Sequence, residues 1–131
     1  MRLIAWVIGC CLCLSSSAFA GNQHMHKQDK KEDKVQWVDG CKIEIINQSY
    51  ADVRVYGYFD DGSYLDPFKV FSFGIPQYIS LDYYGYCHSG MDLDIDTVGG
   101  YNIFSGYVRT GTTLRIVPYL NNQVKAELSG S

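Results

Sequence analysis

No stretch of ten or more residues in this 131-residue sequence spaces its apolar positions with a helical period, which excludes a core built from helices. Basic residues are scarce beyond Val35. Lys42, Arg54, Lys69, Arg109, Arg115 and Lys125 stand there against eleven acids, a formal charge of −5. An acidic domain with scattered cations lacks the positive surface that supplies most non-specific affinity for nucleic acid, so no nucleic-acid partner is expected. Anionic membrane surfaces are disfavoured on the same ground. Catalytic signatures are missing too: the sequence holds no Gly-x-Ser-x-Gly elbow, no His-Glu-x-x-His and no Walker loop. His88 is the only histidine beyond Val35. Its neighbour Ser89 would point to the opposite face of a strand, whereas nucleophilic catalysis needs both groups on one side. The sequence therefore predicts no enzyme, no cofactor and no metal.

A run long enough to span a bilayer, about 20 apolar residues, is also absent. The apolar stretch Leu3–Leu14 follows Arg2 and ends in Ala18-Phe19-Ala20, the layout of a secretory signal peptide over residues 1–20. Val7-Ile8-Gly9-Cys10 resembles the lipobox of bacterial lipoproteins, which would place a lipid anchor on Cys10. Only Leu3 to Gly9 would then form the apolar region, short for an export signal. Cleavage after Ala20 is the main expectation, lipidation at Cys10 the alternative.

Residues 21–34, "GNQHMHKQDKKEDK", hold no aromatic and a single apolar residue, too little to offset the entropy of ordering. They predict a disordered leader before one domain over 35–131. Of the five cysteines, Cys10, Cys11 and Cys13 leave with the signal peptide. Cys41 and Cys87 then form an even count in an exported chain, which reads as a disulfide.

Beyond Val35 the apolar pattern has period two. "CKIEII" alternates Cys41, Ile43 and Ile45 with Lys42 and Glu44, and "DVRVYGYF" sets Val53, Val55 and Phe59 against Arg54, Tyr56 and Tyr58. Similar segments are "FKVFSF", "YISLDYY", "MDLDIDTV", "YNIFSGYV", "TTLRIVPYL" and "QVKAEL", divided by turn signals such as Asp61-Gly62, Gly99-Gly100, Thr110-Gly111 and Asn121-Asn122. The expected fold is all-β: an antiparallel β-sandwich or flattened barrel of about eight short strands. "GYFDDGSYL" (57–65) and "GYVRTGTTL" (106–114) share a Gly-Tyr-apolar-x-x-Gly-hydroxyl-x-Leu pattern, which suits either two similar halves stapled by the disulfide or the likeness that glycine turns and alternating strands give any two hairpins of a sandwich.

The most crowded stretch is "YYGYCHSGMDLDID" (83–96). Asp92, Asp94 and Asp96 alternate with Met91, Leu93 and Ile95, so in a strand the carboxylates share one face and the apolar set the other. A straight strand spreads ligands that calcium needs converging on one point. The expectation is a solvated acidic face answered by Arg54, Lys42 or Arg115. "DDGSYLD" (60–66) misses the EF-hand spacing and reads as a hairpin turn. Asn47-Gln48-Ser49 matches a glycosylation sequon.

All eleven tyrosines lie beyond Val35. Tyrosine offers a large amphipathic contact area at low entropic cost. Tyr56, Tyr58, Tyr83 and Tyr84, with Asp92, Asp94 and Asp96, form the expected binding residues. The sequence thus points to an exported interaction protein of the periplasm or cell envelope with a protein partner. It would have no transmembrane segment in the mature chain. The alternatives are a carbohydrate- or ligand-binding module and a secreted inhibitor or effector.

Overall fold

The computed structural model describes residues 22–27 and 40–130. The expected signal peptide, the Cys10 anchor and residues 28–39 lie outside the described residues. Within them the chain forms β1 (Gln23–His24), β2 (Lys42–Asn47), β3 (Val53–Phe59), β4 (Tyr64–Val70), β5 (Gln77–Ser80), β6 (Asp82–Tyr83), β7 (Tyr86–Cys87), β8 (Gly90–Thr97), β9 (Asn102–Arg109), β10 (Thr112–Tyr119) and β11 (Gln123–Gly130). One sheet has the order β1-β5-β2-β10-β11, a second β4-β3-β8-β9, and β6-β7 make a small hairpin. The architecture is sandwich-like and not a closed barrel. Most pairs are antiparallel, but β1 runs parallel to β5 and β2 parallel to β10.

Period-two alternation builds the core directly. Ile43 and Ile45 of β2, Val53 and Val55 of β3, Met91, Leu93 and Ile95 of β8, and Leu114 and Ile116 of β10 are completely buried and pack as one cluster. Strand β4 departs from strict alternation, because both Leu65 and Val70 face the core. A register shift between Val55 and Gly57 changes the parity. It places Pro67, which has no N–H to give, at the irregularity of an edge strand, where proline is tolerated. Gly57 itself lies where β3 and β8 close up: a Cβ there would sit 2.1 Å from the Asp92 carbonyl oxygen.

Cys41 and Cys87 are bonded, with Cα atoms 5.9 Å apart, so the start of β2 is tied to β7. Asn47 is buried and donates from Nδ2 to the carbonyls of Ala51 and Val70. The sequon asparagine is thus an internal brace.

Two expectations require correction. The first concerns the leader: residues 22–27 are placed rather than disordered. β1 adds to the sheet beside β5, His24 stacks on Phe68 at 3.6 Å, and buried His26 stacks on Tyr83 at 4.0 Å. Ring stacking and side-chain hydrogen bonds here replace aliphatic burial. The second concerns the similar halves, since the two matching segments do different things. Residues 57–65 form a hairpin within one sheet, closed by Phe59 N–H to Ser63 O and Gly62 N–H to Phe59 O. Residues 106–114 cross from the four-stranded to the five-stranded sheet, with Thr110 N–H donating to Ser89 and Gly111 N–H to Lys42.

Candidate contact surface

The outward face of the β4-β3-β8-β9 sheet gathers most of the expected residues. Register sets Tyr58 opposite Asp92, Tyr56 opposite Asp94 and Arg54 opposite Asp96. On the far side of β8, Asp92 meets Tyr107, Asp94 meets Ser105 and Asp96 meets Asn102, while Tyr64 of β4 pairs with Tyr58. A row Tyr64-Tyr58-Asp92-Tyr107 therefore crosses all four strands. Its three tyrosines keep about half their surface in solvent: 54%, 49% and 48% for Tyr64, Tyr58 and Tyr107. The Tyr58 and Tyr64 rings lie 5.5 Å apart, a cross-strand aromatic contact of the kind that stabilises a sheet face.

The carboxylates of this face are answered by hydroxyl and amide donors. Tyr56 donates to Asp96 Oδ2 at 2.9 Å, Asn102 Nδ2 to Asp96 Oδ1 at 2.9 Å, and Ser105 to Asp94. The Asp96 hydrogen bond, with burial and the nearby carboxylates adding to it, raises the Tyr56 phenol above its ordinary range. Arg54 is aligned with Asp96 but makes no ion pair among the described residues, and Lys42 and Arg115 belong to the other sheet. The expected salt-bridge neutralisation is thus replaced by neutral donors. Arg54 opposite Asp96, Lys69 opposite Arg54 and Arg109 opposite Gly90 share this face, so it carries charges of both signs.

Tyr83 and Tyr84 separate from this surface. Tyr83 is 1% exposed and belongs to the core, which corrects its assignment as a binding residue. Its hydroxyl is buried beside the Asp60 backbone, and burial pushes the phenol up to about 12 against that contact. Tyr84 is exposed at the tip of the β6-β7 hairpin, where it and Gly85 take φ of 56° and 84°. Positive φ at both positions is the two-residue turn whose twist matches a hairpin. The Tyr84 hydroxyl donates to Asp61 Oδ2 at 3.1 Å.

The arrangement closest to catalytic chemistry lies here, between the amino-terminal segment and the 60–66 turn. Ser63 Oγ is 2.9 Å from His26 Nε2, and Asp61 Oδ2 is 2.9 Å from the same nitrogen. A nucleophilic triad instead places serine and carboxylate on opposite imidazole nitrogens. Ser63 also gives its hydroxyl proton to Asp61 Oδ1 at 2.7 Å, and its backbone N–H donates there at 3.0 Å. His26, Ser63 and Tyr84 form a clamp around the Asp61 carboxylate. No family model and no curated protein matches this chain. The site's meaning therefore rests on its own geometry.

His88 offers no better base. It is 9% exposed, lies between Tyr83 at 3.7 Å and Tyr86 at 4.1 Å, and directs Nδ1 to the Leu81 carbonyl at 3.2 Å. Ser89 is bonded to the Tyr107 hydroxyl. Among the described residues no three His, Cys, Asp or Glu side chains converge to hold a metal ion, and Asp92, Asp94 and Asp96 are spread along β8 as the strand pattern requires. No helix is long and apolar enough to cross a membrane among the described residues.

A cleft of about 470 Å³ opens at the opposite end of the sandwich. Tyr101, Asn102, Asn121, Asn122 and Gln123 line its polar side, and Ala51, Ile103 and Val124 its apolar side. None of these residues carries a charge.

Proposed function

We propose that this chain is an exported, non-enzymatic interaction protein of the bacterial cell envelope, an accessory subunit of a surface or secretion assembly. It captures a protein partner on the outer face of the four-stranded sheet. The observation that carries this reading is the row of half-exposed tyrosines crossing four strands beside hydrogen-bonded carboxylates. Aromatic anchors supply buried area, and the carboxylates would select a partner with positive charge facing them. The disulfide is compatible with an oxidising compartment. The Tyr56→Ala/Tyr58→Ala double variant tests the surface. It should keep its unfolding midpoint within a few degrees, since cross-strand pairs contribute roughly 0.2–1 kcal/mol each, while losing co-purification with envelope partners. Unchanged co-purification would remove this face from consideration.

The uncharged cleft favours a second reading, a carbohydrate-binding module. Its volume falls in the range of small-ligand sites, and its amides and Tyr101 suit hydroxyl recognition and ring stacking. Neutral oligosaccharides should then raise the melting temperature in proportion to the logarithm of their concentration.

A further inference from the structure

The end of the sandwich remote from Tyr84 carries the side chains least suited to water. Phe71, Phe73, Ile75, Val98 and Leu120 are each exposed there by between 56% and 70%. They belong to the connections 71–76, 98–101 and 120–122, which hydrogen bonds draw together with the segment 47–52. Phe73 N–H donates to Asn47 O, Ser72 N–H to Asp52 Oδ1, Val98 N–H to Asp52 O, and the Tyr50 hydroxyl to Gln123 O. The only charged residue in these four segments is Asp52, and its carboxylate is bound to that Ser72 N–H.

Two features bear on what this end meets. The first is the layering of charge. Lys69 holds its ammonium 5.4 Å over the Phe71 ring and Lys125 4.9 Å over the Tyr119 ring, so cations and tyrosine stand behind apolar tips, the order in which side chains meet headgroups and acyl chains. The second is strain. Phe73, 70% exposed, has a φ of 52°, a left-handed conformation that a bulky residue adopts only where the surrounding structure enforces it.

We propose that this end docks on an electrically neutral lipid surface by inserting Phe71, Phe73 and Ile75, flanked by Val98 and Leu120, into its interfacial layer. Neutral lipid is specified because the domain's charge of −5 opposes approach to anionic headgroups. The site is separate from the tyrosine face and does not rest on it.

The test is sedimentation of the processed protein, with residues 1–20 verified absent by mass, with phosphatidylcholine vesicles and with vesicles containing phosphatidylglycerol. The expected result is partition onto phosphatidylcholine that survives high salt and does not improve with phosphatidylglycerol. The Phe71→Ser/Phe73→Ser/Ile75→Ser variant should partition at least tenfold less, while Tyr56→Ala/Tyr58→Ala partitions as the parent does. A Phe73→Trp variant should gain quenching by brominated acyl chains over the Trp37 background, so a folding defect in the triple variant would not decide the matter. No partition onto phosphatidylcholine overturns the proposal, as does binding that requires phosphatidylglycerol and vanishes in salt. Concentration-dependent dimerisation lost in the triple variant, with no vesicle binding, would assign the apolar end to a second copy of the chain instead.

Discussion

His26 and Asp61, 35 residues apart in sequence, meet at 2.9 Å between Nε2 and Oδ2. The contact fastens the amino-terminal segment to the turn between β3 and β4. It also makes Asp61 the most heavily hydrogen-bonded carboxylate of that end, since Ser63 contributes its hydroxyl and its N–H, and Tyr84 its phenol. The Ser63 hydroxyl is the largest cause, its N–H the next, and together with His26 and Tyr84 they hold Asp61 well below the usual carboxylate range against some opposing desolvation.

This lowered acidity fixes a pH dependence. Between the unfolded value of about 4 and the lower native value, the unfolded chain binds a proton that the native protein does not. The stabilisation by Asp61 is therefore fully present above about pH 5 and is lost as pH falls through the native value. Asp61→Asn should be less stable than the parent at pH 7, and its urea midpoint should fall less steeply between pH 5 and pH 2. Parallel midpoint curves for the two proteins would show that the clamp does not act through the charge.

The two Gly-Tyr segments allow a direct test of their inequivalence. A Cβ on Gly57 would lie 2.1 Å from the Asp92 carbonyl oxygen, whereas one on Gly106 would meet nothing nearer than a Phe104 ring carbon at 3.4 Å. Backbone cannot step aside as a side chain can. Gly57→Ala should therefore cost about 3 kcal/mol or more, at or beyond the upper end of ordinary overpacking. Gly106→Ala should fall within about 0.5 kcal/mol of the parent, with a slight gain from the reduced freedom of the unfolded chain. Equal losses in denaturant titrations would mean that the segments are equivalent after all.

Much of the architecture was legible because a period of two carries its own burial instruction. Ile43 and Ile45, Val53 and Val55, and Met91, Leu93 and Ile95 all face inward as their alternation requires. Asn121 and Asn122 turn with φ of 56° and 63°, and Gly62 and Gly111 with 87° and 89°, where their residue types signalled turns. Alternation put Asp92, Asp94 and Asp96 on one face, and the pairing of β3 with β8, which alternation does not specify, sets them beside Tyr56 and Tyr58. The amino-terminal strand was not legible, because a low apolar count says nothing of a histidine that orders itself by stacking on Phe68 or Tyr83. Nor could Tyr83 be told from Tyr84, since a two-residue strand has no periodicity to assign faces. Local likeness of 57–65 to 106–114 likewise carries no information on which sheet receives each strand; distant acceptors such as the Lys42 and Ser89 carbonyls decide that.

The left-handed Phe73 separates stability from function. Its φ of 52° costs an ordinary side chain roughly 1 kcal/mol, and asparagine tolerates that conformation far better. The ring contributes little to folding because it is 70% exposed. Phe73→Asn should therefore stabilise the protein by about 0.5–1 kcal/mol, a rise of a few degrees in melting temperature. Phe73→Ala keeps the backbone cost and should melt where the parent does. Both variants lose the ring, so both should partition less onto phosphatidylcholine. A residue retained for packing would behave oppositely, with each substitution lowering the melting temperature. Calorimetry of the two variants beside the parent distinguishes a strained contact residue from a structural one.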